Sequence, residues 1–249
     1  MLRKNSEFKF CGQTALITGS GRRIGRSIAL TLAQYGMNIA CHYGQSKHAA
    51  EEVVNTCWQE GVQAGSFQAD LDDHREVEKL MGCVRSKLGP VHILINNASI
   101  FEKKAIQDTD IERWRRHMNV NLNAPFILSR EFACQKDLDT GNIINMLDWR
   151  GLRPAPDYFA YTISKAGLAA LTENLAIALA PTIRVNGLAL GAILPPPGVE
   201  EKKAKHVKDY PLKRWSNPEE VCRAILFLLN DATSTTGDIL HLDGGRHLI

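Results

Sequence analysis

The stretch that decides the fold is TALITGSGRRIG, residues 14–25. A β-favouring apolar run, residues 14–18, breaks at Gly19 and Gly21, and helical spacing begins at Arg23 and continues to residue 36. Glycines at a strand-to-helix turn permit tight curvature and close backbone approach to a pyrophosphate, which rests on the helix N-terminus. A glycine-rich string alone is a weak signal, because a plain strand–helix turn can carry one. Following a strand, preceding a helix and opening a βαβ unit, it points to a bound dinucleotide.

Outward from this turn, short apolar runs alternate with segments of helical period. Strands are predicted at residues 14–18, 37–42, 62–68, 91–96, 142–146, 183–188 and 239–242. Helices are predicted at 23–36, 47–61, 73–88, 110–134, 158–180 and 218–230. Such alternation specifies a doubly wound α/β fold, a parallel sheet of about seven strands covered by helices on both faces. A chain of 249 residues suits one such domain, here residues 1–249. Connections are short except between Leu188 and Pro218, where Gly191, three consecutive prolines and a lysine-rich run occur. An insertion after the carboxyl end of a strand lies where open α/β sheets bind ligands, so residues 190–215 read as a substrate lid.

Composition narrows the function. Apolar content of 44% and charged content of 23% are ordinary for a globular domain. A net charge of +3, dispersed along the chain, argues against nucleic acid. No apolar run reaches the roughly 18 residues a membrane span needs. The N-terminal MLRKNSEFKFCGQ is basic without an apolar core, unlike a secretory signal. The expected location is therefore cytoplasmic. Six cysteines without a C-x-x-C pair read as reduced, core-filling thiols. The eight histidines lack ligand spacing, so no metal is expected, and His42 and His241 read as structural.

Cofactor choice follows from charge. An NAD site places an acid about 20 residues beyond the glycines, at the end of the second strand, to hold the ribose hydroxyl. Here that region reads Cys41-His42-Tyr43-Gly44-Gln45-Ser46-Lys47, with no acid. Arg22, Arg23 and the Ser46 hydroxyl instead form a corner suited to a 2′-phosphate, which selects NADPH.

The reacting end is read from Tyr161 and Lys165, which share a helix face at i and i+4. An ammonium beside a phenol lowers its pKa and fits it for proton transfer at neutral pH. Asp148 stands thirteen residues before Tyr161.

These motifs resemble the short-chain dehydrogenase/reductase family from Thr14 to Gly245. The first turn is similar to its T-G-x3-G-x-G, with Arg23 in place of the middle glycine, a substitution also made by pteridine reductases. Asn96-Asn97-Ala98-Ser99 resembles N-N-A-G, Tyr161 and Lys165 its Y-x3-K, and Asp243-Gly244-Gly245 its terminal D-G-G. Most members carry serine where this chain has Asp148, and an aspartate there resembles the pteridine-reductase branch. The resemblance implies a cofactor site at Gly19, Gly21, Arg22, Arg23, Ile24, Gly25, His42, Tyr43, Ser46, Asp70, Leu71, Asn97, Ala98, Ser99, Lys165 and Gly191. Asp70 would meet the adenine and Lys165 the nicotinamide ribose. Catalysis would rest on Asp148, Tyr161, Lys165 and Asn121, with Asn121 holding a water of the proton relay. Substrate would lie against Ser99, Phe101, Asp148, Tyr161 and Leu194, with Phe101 stacked on a pterin ring. Trp149 and Tyr210 are looser candidates for the pocket.

The activity implied is NADPH-dependent reduction of a ring C=N in a dihydropteridine, dihydromonapterin or dihydrofolate. A carboxylic group suits a ring nitrogen that must gain a full proton, whereas a serine hydroxyl suits a carbonyl oxygen that gains charge. The chain's ending and its Gly-Arg-Arg-Ile-Gly turn resemble dihydromonapterin reductases, while residues 97–101 and His42-Tyr43 resemble pteridine reductases. The alternatives are a general carbonyl or 3-oxoacyl reductase and a non-catalytic NADP-binding regulator. The resemblance also implies a homotetramer built on the helices at 110–134 and 158–180.

Overall fold

The structure is a computed structural model that describes residues 10–154, 156–195 and 207–249. Seven strands form one sheet: β1 (Thr14–Ile17), β2 (Asn38–Tyr43), β3 (Ala64–Gln68), β4 (Ile93–Asn96), β5 (Gly141–Asp148), β6 (Ile183–Leu190) and β7 (Ile239–Leu242). Their order is β3-β2-β1-β4-β5-β6-β7, and every adjoining pair is parallel. The main helices are α1 (Arg23–Gln34), α2 (Lys47–Gln59), α3 (His74–Leu88), α4 (Ile111–Met118), α5 (Ala124–Ala133), α6 (Trp149–Leu152), α7 (Phe159–Leu179) and α8 (Pro218–Asn230).

Strand sequences explain why both faces need helices. In β1, Ala15 and Ile17 point into one core with α1, α2 and α8, and Leu16 points into the other with α3 and α5. In β4, Ile93 and Ile95 join the first core and Leu94 the second. Side chains alternate along a strand, so an unbroken apolar strand is stable only where both faces are covered. Each fully buried Leu or Ile contributes roughly 1.5–3 kcal/mol of transfer energy.

The sheet reverses its winding between β1 and β4, and there the loops after the two strands part to leave a crevice. A Cβ added to Gly19, after β1, would lie 3.2 Å from Ala98, after β4. The crevice begins at this contact.

Two elements depart from the predicted pattern. The single helix expected over 110–134 is interrupted by a wide π-type turn at Asn119–Asn123 before α5 begins. Pro125 lacks the N–H that an α-helix would direct at the carbonyl of Asn121, which favours wider spacing there. The second departure is the short α6, which follows β5 directly because Asp148 caps it. The Asp148 carboxylate accepts the N–H of Arg150 at 2.8 Å. Of the expected lid, residues 196–206 lie outside the described residues. Its flanks, 190–195 and 207–215, line the crevice.

Candidate active site

The glycine turn is held by neighbours that have spent their polar groups on it. The Thr18 hydroxyl accepts the N–H groups of Asn97 and Ala98, both at 2.9 Å, and the Asn97 amide donates to the Thr18 carbonyl at 2.8 Å. A Cβ on Gly25 would lie 2.4 Å from the Gly19 carbonyl oxygen, so only glycine lets α1 approach this closely. Gly191 is as constrained, since a Cβ there would sit 2.7 Å from the backbone of Asp243. The N-cap of α1, Arg22, supplies no side-chain cap, in contrast to Asp73, Asp110 and Asn217 at α3, α4 and α8. First-turn N–H groups of α1 are thus left for an anion. This cradle fits a dinucleotide pyrophosphate.

His42 is a strut of the turn and not a ligand-facing group, contrary to its expected cofactor contact. Its Nδ1 accepts the Gly19 N–H at 3.0 Å and its Nε2 lies 3.0 Å from the Ala69 carbonyl. That pairing requires a neutral ring with the proton on Nε2. Burial pushes its pKa down to about 4. Tyr43 is likewise buried in the core, and the Leu71 side chain is buried too. Asp70 is exposed at the carboxyl edge of the sheet and accepts the Asp72 N–H at 3.0 Å.

The expected phosphate corner needs one correction. Arg23 has φ +52°, the left-handed conformation a glycine would adopt, at a cost of about 1–2 kcal/mol. Its guanidinium reaches across the crevice to the carbonyls of Leu194 and Pro195, at 3.3 and 3.1 Å. The side chain therefore ties the glycine turn to the loop after β6, at Leu194 and Pro195, and does not face the ribose corner. Arg22 is exposed beside that corner. A Cβ on Gly21 would be 3.1 Å from the N–H nitrogen of Ala50, so the turn abuts the start of α2. Ser46, the N-cap of α2, makes no side-chain cap bond, and its hydroxyl remains for an incoming acceptor.

At the other end of the crevice, β5 delivers Asp148 and α7 delivers Tyr161 and Lys165. Tyr161 donates its phenolic hydrogen to Oδ2 of Asp148 at 3.0 Å. Burial, resisted by the Arg150 N–H and guanidinium, raises the Asp148 pKa above the usual carboxylate value. The Tyr161 pKa is raised well above 10, first by burial and then by the Asp148 charge. Burial and Asp148 therefore outweigh any lowering by Lys165, which was the expected shift. Lys165 does lie above the ring, 5.9 Å from its centroid, but its Nζ donates to the Met146 carbonyl at 2.7 Å. The i,i+4 spacing sets where the two side chains start; burial and the strand carbonyl set where the ammonium ends. Burial also lowers the Lys165 pKa to about 8.

Asn121 is fully buried, and its amide is consumed by protein. It accepts from the Ser99 hydroxyl at 3.1 Å and the Ile100 N–H at 2.9 Å, and donates to the Ile100 carbonyl at 3.1 Å and the Ser164 hydroxyl at 3.0 Å. The side chain braces the loop after β4 against α7. A water expected at Asn121 would have to use its backbone carbonyl, the group deprived of its helical donor by Pro125.

Phe101 stands half exposed with one face stacked on Tyr158, centroids 4.3 Å apart and rings 10° from parallel. Its edge meets Tyr161 at 4.7 Å. The expected pterin platform is therefore an aromatic pair, with only one Phe101 face left for a ligand. Arg150 lies 4.5 Å from the Trp149 ring and 4.8 Å from that of Tyr158. Sequence reading passed over Arg150, Tyr158 and Trp215; the adjacency of Arg150 to Asp148 was the available signal.

These residues enclose a cavity of about 470 Å³, lined also by Ile24, Ser99, Leu194, Tyr210 and Arg246. That volume is in the range of small-molecule sites. Among the described residues no group of three or more His, Cys, Asp or Glu side chains could hold a metal. No helix among them is long and apolar enough to cross a membrane.

Comparison with known proteins agrees with this geometry. The alternative dihydrofolate reductase 1, FolM, of Brucella canis, solved in complex with NADP, superposes with a TM-score of 0.88 at 36% identity, over 95% of each chain. The 3-oxoacyl-[acyl-carrier-protein] reductase FabG of Staphylococcus epidermidis is 33% identical over 242 residues, 95% of this chain and 99% of that one. Glucose 1-dehydrogenase 2 of Bacillus subtilis is 30% identical over 246 residues, 95% of each chain. The short-chain model described as enoyl-(acyl carrier protein) reductase matches residues 19–247, and the chain belongs to the short-chain dehydrogenase/reductase family.

Proposed function

We propose that this chain is an NADPH-dependent reductase of a dihydropterin-type ring C=N. The observation that carries the reading is the buried hydrogen bond from Tyr161 to Asp148. When bound, NADPH would supply the hydride that the substrate carbon receives. Tyr161 delivers the accompanying proton to the ring nitrogen, and its high pKa keeps the phenol protonated for that task. Asp148, raised by burial, accepts N–H groups of the ring when charged and returns a proton to Tyr161 when neutral. Lys165 holds the nicotinamide ribose, and the backbone carbonyl of Asn121 holds a water that links Lys165 to solvent. Arg22 and Ser46 receive the 2′-phosphate, consistent with the NADP in the Brucella relative. Substrate lies beside the flanks of the expected lid, residues 190–195 and 207–215, the first of which Arg23 tethers through the Leu194 and Pro195 carbonyls.

A second reading, a carbonyl or 3-oxoacyl reductase, is supported by the FabG and glucose dehydrogenase relatives. Asp148 weighs against it, since a carboxylate beside Tyr161 repels the charge gathering on a carbonyl oxygen. The deciding measurement is NADPH consumption with dihydropterins, ketones and 3-oxoacyl thioesters. Turnover confined to the last two would sink the pterin reading, and turnover of none would favour a non-catalytic regulator. A homotetramer fits the exposed apolar residues of α5 and α7, Phe126, Ile163 and Ile177, and light scattering would test it.

A further inference from the structure

The cavity carries more cation than anion: Arg23, Arg150, Lys165 and Arg246 face Asp148 and Asp209. Three of the four cations are engaged. Arg23 serves the Leu194 and Pro195 carbonyls, Lys165 the Met146 carbonyl, and Arg150 lies 3.8 Å from Asp148. Arg246 differs. Its guanidinium carbon lies 4.9 Å from the Trp149 ring centroid and 5.6 Å from that of Tyr210. Among the described residues that guanidinium has no ion pair and no hydrogen bond. Stacking on aromatic faces fixes the plane of a guanidinium and leaves the N–H groups at its edge free for a planar acceptor.

The backbone around Arg246 is also rigid. The buried Asp243 carboxylate accepts the N–H of Gly245 at 3.0 Å and of His247 at 2.8 Å, and Arg153 donates to the His247 carbonyl at 2.8 Å. Two other donors belong to residues lining the same cavity. Trp215 Nε1 and Arg150 Nε are buried with no partner. Buried donors are normally satisfied, so the cavity lining is short of acceptors at these two positions.

We propose that Arg246 is a substrate-specificity residue that binds an anionic oxygen, a carboxylate on the side chain of the ring being reduced. The inference rests on the dihydropterin reading and deepens it. The ring presents its N–H edge to Asp148, and the carboxylate meets Arg246 as a charge-assisted, forked pair. Neutral dihydropterins lack that contact, so the preferred substrate is of the folate type.

The test compares parent, Arg246→Gln and Arg246→Lys with dihydrofolate, which has carboxylates, and dihydrobiopterin, whose side chain is neutral. In Arg246→Gln the ratio of kcat/KM for dihydrofolate over dihydrobiopterin falls about tenfold or more, through KM. Arg246→Lys recovers part of the ratio because it restores the charge. A misfolded variant lowers both activities alike, so an unchanged ratio overturns the inference. Titration of p-aminobenzoyl-glutamate into the NADP-loaded protein separates the two claims. If the parent reduces no dihydropterin yet binds this probe, and Arg246→Gln weakens it about tenfold, the Arg246 site stands and the dihydropterin reading falls. Binding equal in both proteins, or absent from the parent, overturns the Arg246 site itself.

Discussion

The phenol of Tyr161 and the carboxylate of Asp148 share one hydrogen bond of 3.0 Å, and neither group is free of the other's charge. Asp148 holds Tyr161 in its protonated form, and Tyr161 in turn favours the charged form of Asp148. Oδ1 of the same carboxylate caps α6 through the Arg150 N–H, which fixes its orientation. A serine could not serve both partners at once, because it has no second oxygen: its hydroxyl could cap α6 or meet Tyr161.

Tyr161→Phe removes the proton donor and leaves the glycine turn untouched. Turnover should fall by about 10²–10⁴-fold, the range for a lost general acid, while NADPH binding, followed by quenching of protein fluorescence, stays near that of the parent. Nearly full activity in Tyr161→Phe would remove Tyr161 from the mechanism.

Cofactor preference tests the corrected phosphate corner. Arg22→Ala and Ser46→Ala should each weaken NADPH binding by up to the roughly 1.5–3 kcal/mol of a charge-assisted hydrogen bond, with NADH little affected. Arg23→Gly should act differently, because its guanidinium serves the Leu194 and Pro195 carbonyls. It relieves the left-handed strain and loosens the loop at Leu194 and Pro195, so KM for the substrate should rise more than KM for NADPH. A selective loss of NADPH affinity in Arg23→Gly alone would restore the corner originally read from the sequence.

The fold was legible because its signals are local. The bounds of α8 and β7 agree residue for residue with those predicted, since Pro218 opens the helix and polar turn residues flank the strand. The break at Asn119–Asn123 was hidden because apolar spacing continues through it, and only Pro125 marked the change. Tyr161 and Lys165, paired by their spacing, and Asp148, joined to them by the family resemblance, line one cavity. Spacing could not give the ends of long side chains. Arg23 turns to the carbonyls of Leu194 and Pro195 and Lys165 to that of Met146, choices set by tertiary packing and not by local spacing. Arg150, Tyr158 and Trp215 escaped notice for a related reason, as their place in the cavity depends on how α6, α7 and residues 207–215 pack together.

His42 predicts a pH dependence of stability. Its folded pKa, about 4, lies below the 6.5 of the free side chain, so the unfolded state binds the extra proton. Stability from this group is complete above pH 6.5 and declines as pH falls toward 4. Between pH 8 and pH 5 the loss should be about 2 kcal/mol. Asp148, whose pKa is raised, contributes in the opposite sense, so the comparison must be with His42→Gln, which retains Asp148. Urea unfolding at the two pH values should show a smaller difference in His42→Gln than in the parent. Equal pH dependence in both proteins would mean that His42 is not held neutral by the Gly19 N–H and the Ala69 carbonyl.

The Asp148 side chain gives the sharpest functional test. If it serves a ring nitrogen, Asp148→Ser should depress dihydropterin reduction far more than reduction of any simple ketone the enzyme accepts. Asp148→Asn should be equally poor with dihydropterins, because an amide keeps the cap and the shape but cannot return a proton to Tyr161. The pH profile adds an independent readout. Burial raises the Asp148 pKa, so its neutral form persists to higher pH than for a free carboxyl. In the parent, kcat/KM for a dihydropterin should decline as pH climbs through this titration, and that limb should vanish in Asp148→Asn. A folding defect lowers ketone and dihydropterin turnover together, so the ratio of the two isolates the chemistry. Should Asp148→Ser reduce dihydropterins as well as the parent does, the carboxylate has no part in protonating a ring nitrogen, and the carbonyl reductase becomes the better account of this cavity.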